Sequence, residues 1–186
     1  MVEDCLYAPI NAGFESGNLF GWTMAGDIGG ISHETTYWEG INHQKDGEYF
    51  FWGSENKKGT DGEGNAYDRT GTLSSSTFVI GGNGWITFRL GGINPANNSQ
   101  YIEIVDAETG NALVRYVNPL FADAGAFDGN ADKISGLSLS KYKADLSEYI
   151  GKSVYIRITD RWEGGGFGFV LFDDVRTVYS DETLAL

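Results

Sequence analysis

The chain has 186 residues, a formal net charge of −13, 27 glycines and 14% aromatic residues. That length suits one domain able to bury roughly 70% of its unfolded surface. The acidic balance excludes a Lys/Arg stripe that would neutralise nucleic-acid phosphates or an anionic membrane. No apolar run reaches the roughly 18 residues of a membrane span, and no convincing run repeats at helical period, so an all-β domain is predicted.

Residues 1–10 read as a leader without the basic and apolar regions of a signal peptide, with an edge strand through Cys5-Leu6-Tyr7 and Met1-Val2 as an expression start. Cys5 is the single cysteine, so no internal disulfide forms and the redox compartment stays open. Residues 11–180 then form one module, and 181–186 a tail. Strands are expected at Gly21–Met24 and Ile31–Trp38, and after the Asp46-Gly47 turn at Glu48–Trp52, whose aromatic density implies cover on both faces. Residues 54–65 and 119–136 read as long surface loops. Ile86, Phe88 and Leu90 alternate with Trp85, Thr87 and Arg89, which places the first three inward. Tyr101–Asp106 and Ala112–Val117 form a hairpin across Ala107–Asn111, and a turn is expected near Leu146–Ile150. The final run, Val154–Val178, reads as two long alternating strands joined at Gly164–Gly166 into another hairpin. About ten strands at this spacing predict an antiparallel jelly-roll β-sandwich, with a closed barrel as the lesser alternative.

Two adjacent carboxylates on a strand, Asp173 and Asp174, point to opposite faces unless a bulge intervenes, so one is expected to face inward and to need a cation or several donors. Glu15, set between turn residues near the other end of the chain, is the expected partner in a hard-cation site. A calcium ion takes six to eight oxygens. Glu15 and Asp174, with carbonyls near Asn11 and at Asp46-Gly47, are the candidate ligands; capping of turns or pairing with arginine is the other reading of these acids. The acidic stretches at Asp61–Asn65 and Asp128–Asp132 lack the final bidentate Glu of a calcium loop and read as solvated loops.

The segments Asn11-x-Gly-Phe-Glu-x-Gly-x-Leu-x-Gly-Trp22, Gly71-Thr-Leu-x-Ser75 through Phe78, Gly82-x-Gly-x-Ile-x-Phe-x-Leu-Gly-Gly92, Asp145-Leu-Ser-x-Tyr-x-Gly-Lys152, Ile158-x-Asp160 and Phe172-Asp-Asp174 resemble the sandwich modules attached to fructan-processing glycoside hydrolases, the levanase and inulinase group. The resemblance implies a non-catalytic carbohydrate-binding module with a structural calcium ion (Ca2+). It also implies a monomeric part of a larger extracellular or cell-surface bacterial protein that holds its enzyme on a polysaccharide or oligosaccharide. The chain departs from that pattern after Asp160, where Trp162 comes early and Gly165-Gly166-Phe167-Gly168 replaces Gly-Gly-Trp-Gly.

Sugar binding asks for an aromatic ring over the apolar face of a sugar and for charged groups that hydrogen-bond vicinal hydroxyls. Asp160 and Trp162 offer both on one turn, with Arg89, Trp52 and Arg69 as further candidates; core packing is the competing reading for Trp52 and a surface ion pair for Arg89. A structural or adhesive surface module without sugar binding is the alternative function. An enzyme is not expected: His33 and His43 lie in no nucleophile motif, and Gly81–Gly84 joins two strands rather than opening a helix.

Overall fold

The computed structural model describes residues 6–37, 40–53, 55, 70–92, 98–118, 138–162 and 169–180. The loops expected at 54–65 and 119–136 (Glu55 apart), the acidic stretches within them, Cys5, Arg69, Trp38 and the turn at Gly164–Gly166 lie outside the described residues.

In chain order the strands are β1 (Trp22–Gly26), β2 (Gly30–Ser32), β3 (Thr36–Tyr37), β4 (Ile41–Asn42), β5 (Phe50–Trp52), β6 (Gly71–Ser75), β7 (Phe78–Val79), β8 (Trp85–Gly92), β9 (Gln100–Asp106), β10 (Ala112–Tyr116), β11 (Ser140–Asp145), β12 (Ser153–Asp160) and β13 (Val170–Arg176). One sheet has the order β1-β6-β12-β9-β10, with β7 also on β12; the second has the order β11-β8-β13-β5-β2; β3 and β4 form a small ribbon. Every pairing is antiparallel. The fold is the expected jelly-roll β-sandwich, and the two separate sheets rule out the closed barrel.

The core lies between the sheets. Leu73, Ile102, Ile104, Ile156 and Ile158 come from the first and Phe51, Ile86, Phe88, Leu90 and Phe172 from the second, all buried. Period-2 alternation puts these side chains on one face, and each buries enough apolar area to contribute about 1.5–3 kcal/mol. Trp52 and Phe50 flank Phe51 and therefore point the other way, into a smaller cluster with Ile41, Leu139, Phe169 and Leu171. The second sheet is thus covered on both faces at β5, as its aromatic density implies.

The β9–β10 hairpin forms as expected, and Ser147–Tyr149 makes a 3-10 turn where one was expected. The expected hairpin of the final run does not form. β12 pairs with β6, β7 and β9, whereas β13 pairs with β8 and β5 in the opposite sheet. Both strands alternate correctly, but they face each other across the core instead of sharing hydrogen bonds. Leu6 and Tyr7 form no strand; the Leu6 carbonyl accepts one bond, from the Val79 amide.

Candidate functional site

β12 ends at one rim of the sandwich. Ile156, Ile158 and Asp160 share the inward face by alternation, so the carboxylate of Asp160 closes the core at that rim and is 2% exposed. Its Oδ2 accepts from Gln100 Nε2 and its Oδ1 from the Trp162 backbone amide, both at 2.9 Å. Burial pushes Asp160 up to about 7, against the lowering effect of those two bonds. The Arg161 amide bonds the Ser99 carbonyl at 3.0 Å, pinning the turn to the start of β9. Trp162 is half-buried and Arg161 exposed. Of the expected sugar contacts, Trp162 therefore stands at an accessible rim. Asp160 itself lies buried beneath the turn, with its Oδ1 on the Trp162 amide.

Arg89 belongs elsewhere. It lies on the outward face of β8, so the thickness of the second sheet separates it from Asp160 and the two cannot form one site. Its Nε bonds Asp174 Oδ2 at 3.1 Å, its Nη1 the Gln44 carbonyl at 3.0 Å, and its Nη2 sits 3.6 Å from Asp46. Arg176 binds the same two acids, Asp174 at 2.6 Å and Asp46 at 2.8 Å. Trp52 is 0% exposed and lies in the smaller apolar cluster, as the core reading of that residue expects. Arg69 lies outside the described residues.

The two chain ends do meet. A register irregularity after Asp173, with Asp174 at φ 54°, lets both adjacent acids lie buried. Asp174 is matched by two arginines. Asp173 is not: its Oδ2 accepts from the Asp46 amide at 2.8 Å and its Oδ1 from the Asp174 amide at 2.7 Å, and among the described residues no Lys or Arg bonds it. Burial first, and then the neighbouring Asp174 and Asp46 charges, push it up to about 7. Glu15 accepts from the Glu48 amide at 3.0 Å and the Tyr49 amide at 3.1 Å. Gly47 has φ 71°, and a Cβ there would stand 2.6 Å from the Glu15 carboxylate, so a side chain at this turn would be strained and would displace that carboxylate from the Glu48 and Tyr49 amides. A Cβ on Gly13 would lie 3.8 Å from the Glu15 Cγ and 3.9 Å from Asp173 Oδ1, which puts both side chains beside one backbone position. Asn11 is bound locally, its side chain to Asn18 and Ser16. Among the described residues no three His, Cys, Asp or Glu side chains converge as a metal cluster. A cation here would need backbone carbonyls beside Asp173 and Glu15, a donor set that fits calcium in kind.

Sequence reading missed a third cluster, on the outward face of the first sheet. Glu103 stands between Arg157 on β12 and Arg115 on β10, in direct cross-strand register with both. Arg115 Nε and Nη2 bond Glu103 Oε1 at 3.0 and 2.6 Å, and Arg157 Nε and Nη2 bond Oε2 at 3.1 and 2.7 Å. Burial raises the Glu103 pKa, but the two arginines outweigh it and hold the carboxyl below the ordinary range. The Arg115 guanidinium lies 3.9 Å over the ring of Tyr101. Alternation alone marks Tyr101, Glu103, Tyr155 and Arg157 as outward; what it cannot give is the pairing of three strands that assembles them.

No protein-family model and no curated protein matches the chain. Solved structures do resemble it. The K1 cleaved adhesin domain of Lys-gingipain from Porphyromonas gingivalis W83 matches with a TM-score of 0.50 at 16% identity, over 88% of this chain and 93% of that one. The K3 cleaved adhesin domain of the same protein gives 0.47 at 19% identity over 90% and 95%. The TmCBM61 module in complex with β-1,4-galactotriose gives 0.45 at 15% identity over 89% and 93%. What the K1 domain shares with this chain is a fold.

Proposed function

We propose that this chain is a non-catalytic carbohydrate-binding module of a secreted or surface protein, with fructan or a related glycan as its ligand. The observation that carries this reading is Trp162, held half-exposed at the sandwich rim by a buried carboxylate beneath its own amide. A buried acid is costly to keep ionised, and its bond to the Trp162 amide fixes the turn that carries the ring. A ring fixed in that way gives a sugar face an apolar platform at low entropic cost. An adhesive module is the second reading, one that the fold of the gingipain adhesin domain also serves.

The test is a glycan array followed by affinity gels on the best ligand. Trp162→Ala should weaken binding by about 2 kcal/mol, roughly thirtyfold in Kd, while the melting curve moves little. Asp160→Asn keeps an oxygen for the Trp162 amide and should bind within about twofold of the parent. Parent-like binding by Trp162→Ala would place the sugar elsewhere. Glycan turnover is not expected, since no motif in the sequence places a nucleophile beside a base.

For the cation, Asp173 and Glu15 are the side chains that would hold calcium, with carbonyls near Asn11 and from the Asp46-Gly47 turn; Asp174 serves through Arg89 and Arg176 instead. The ion would supply the positive charge that the buried Asp173 carboxylate otherwise lacks. Calcium at a hundredfold excess over Kd should then stabilise the fold by about 2.7 kcal/mol. Melting in calcium and in chelator, for the parent and for Asp173→Asn, measures it. A parent curve that chelator leaves unmoved sinks the idea.

A further inference from the structure

We propose that the outward face of the six-stranded sheet is a second binding face, built for the carboxylate of a uronic-acid sugar in an acidic polysaccharide. Glu103 accepts two guanidinium bonds on each oxygen, so its lone pairs are filled. Each guanidinium has five N–H donors and spends only its Nε and Nη2 edge on Glu103, and among the described residues neither Nη1 group is bonded. Two positive charges against one negative leave a surplus of one. This surplus lies on exposed groups, since the Arg115 and Arg157 side chains are 54% and 31% exposed and Glu103 only 3%. A cluster of two arginines and one filled carboxylate offers donors, no open acceptor and one net positive charge, which is complementary to a single planar anion with acceptors only, as a carboxylate is.

The surroundings favour a sugar as its carrier. In register with Arg157 stands Ser74, and the next row across the strands is Thr72, Thr159 and Tyr101. Ser74 and Thr72 are half-buried and hydroxyl-bearing, suited to the ring hydroxyls around a uronate. Stacking of Arg115 on Tyr101 fixes its plane, so little rotamer freedom remains to be lost on binding. The chain's net charge of −13 opposes polyanions at long range. At about 0.15 M salt the screening length is about 8 Å, so distant acids fade while groups touching the ligand still act. This site uses neither Trp162 nor a cation.

The experiment is native affinity electrophoresis at 0.15 M salt in gels holding polygalacturonate, uncharged galactan or poly-L-glutamate, with thermal melts to confirm folding. The parent should be retarded by polygalacturonate alone. Arg115→Gln, on an edge strand and mostly exposed, should weaken retardation tenfold or more, and Arg157→Gln likewise if it folds. Lys141→Gln, an exposed charge on the other sheet, should run as the parent. The proposal is overturned if polygalacturonate does not retard the parent, if Arg115→Gln runs unchanged, or if poly-L-glutamate retards as strongly. It is equally overturned if Trp162→Ala alone removes the binding, which would move the ligand to the rim.

Discussion

Replacing Trp52 by alanine is expected to lower stability by about 3–5 kcal/mol, the usual cost of deleting a large aromatic from a packed core. Trp52 is 0% exposed and centred in the smaller cluster beneath Ile41, Leu139, Phe169 and Leu171. Its ring lies 4.9 Å from that of His43 and 6.3 Å from the stacked ring of Phe50. The neighbours cannot close the space, because β5 is fixed on one side by Leu171 and on the other by Gly30. Urea unfolding of Trp52→Ala measures the loss. Trp52→Phe, which keeps a ring in the cavity, should fold and bind glycan as the parent does. Loss of glycan binding in that variant, with its stability preserved, would return Trp52 to the ligand site.

The fate of Trp52 shows how far the sequence could be read. Aromatic density at Phe50-Phe51-Trp52 announced burial on both faces, and both are buried, which is the core packing that competed with a ligand platform for Trp52. The β9–β10 hairpin was legible because its turn is local, with Gly110 at φ 72° closing a five-residue connection. The pairing of β12 with β13 was misread for the converse reason. Alternation tells which face of a strand is buried but not which strand lies beside it, and two strands that enclose one core alternate just as two that share hydrogen bonds do.

The carboxylates divide along the same line. The sequence showed that one of Asp173 and Asp174 would face inward unless a bulge intervened. The backbone irregularity buries both, and only their partners separate them: two arginines for Asp174, two amides for Asp173. Those arginines come from positions 89 and 176, and Arg89 had no local signature tying it to either acid. The cluster around Glu103 was illegible for the same reason, since its arginines lie 12 and 54 residues away along the chain.

Asp160 carries the second large expected effect, and its sign follows from where its proton sits. In the folded chain burial raises its pKa from 3.8 to about 7. Between those values the native state keeps a proton that the unfolded chain has released, so stability must fall as pH rises. The contribution is fully present below about pH 4 and is lost as pH passes through about 7. A shift of about three units corresponds to about 4 kcal/mol. Asp160→Asn cannot titrate, and its side-chain oxygen can still accept from the Trp162 amide, with the Gln100 amide turned to offer its own oxygen. Denaturant unfolding of both proteins at pH 4.5, 6 and 8 should therefore show the parent losing stability relative to the variant by about 3 kcal/mol across the series, the remainder having been lost already below about pH 4.5. Parallel curves would mean that Asp160 is charged throughout and that water or a cation reaches it. If the curves diverge as expected, the rim turn is least secure above pH 7, where its anchor holds a buried charge. Exchange of the Trp162 amide hydrogen should then quicken with pH beyond the ordinary base-catalysed rate in the parent and follow that rate in Asp160→Asn.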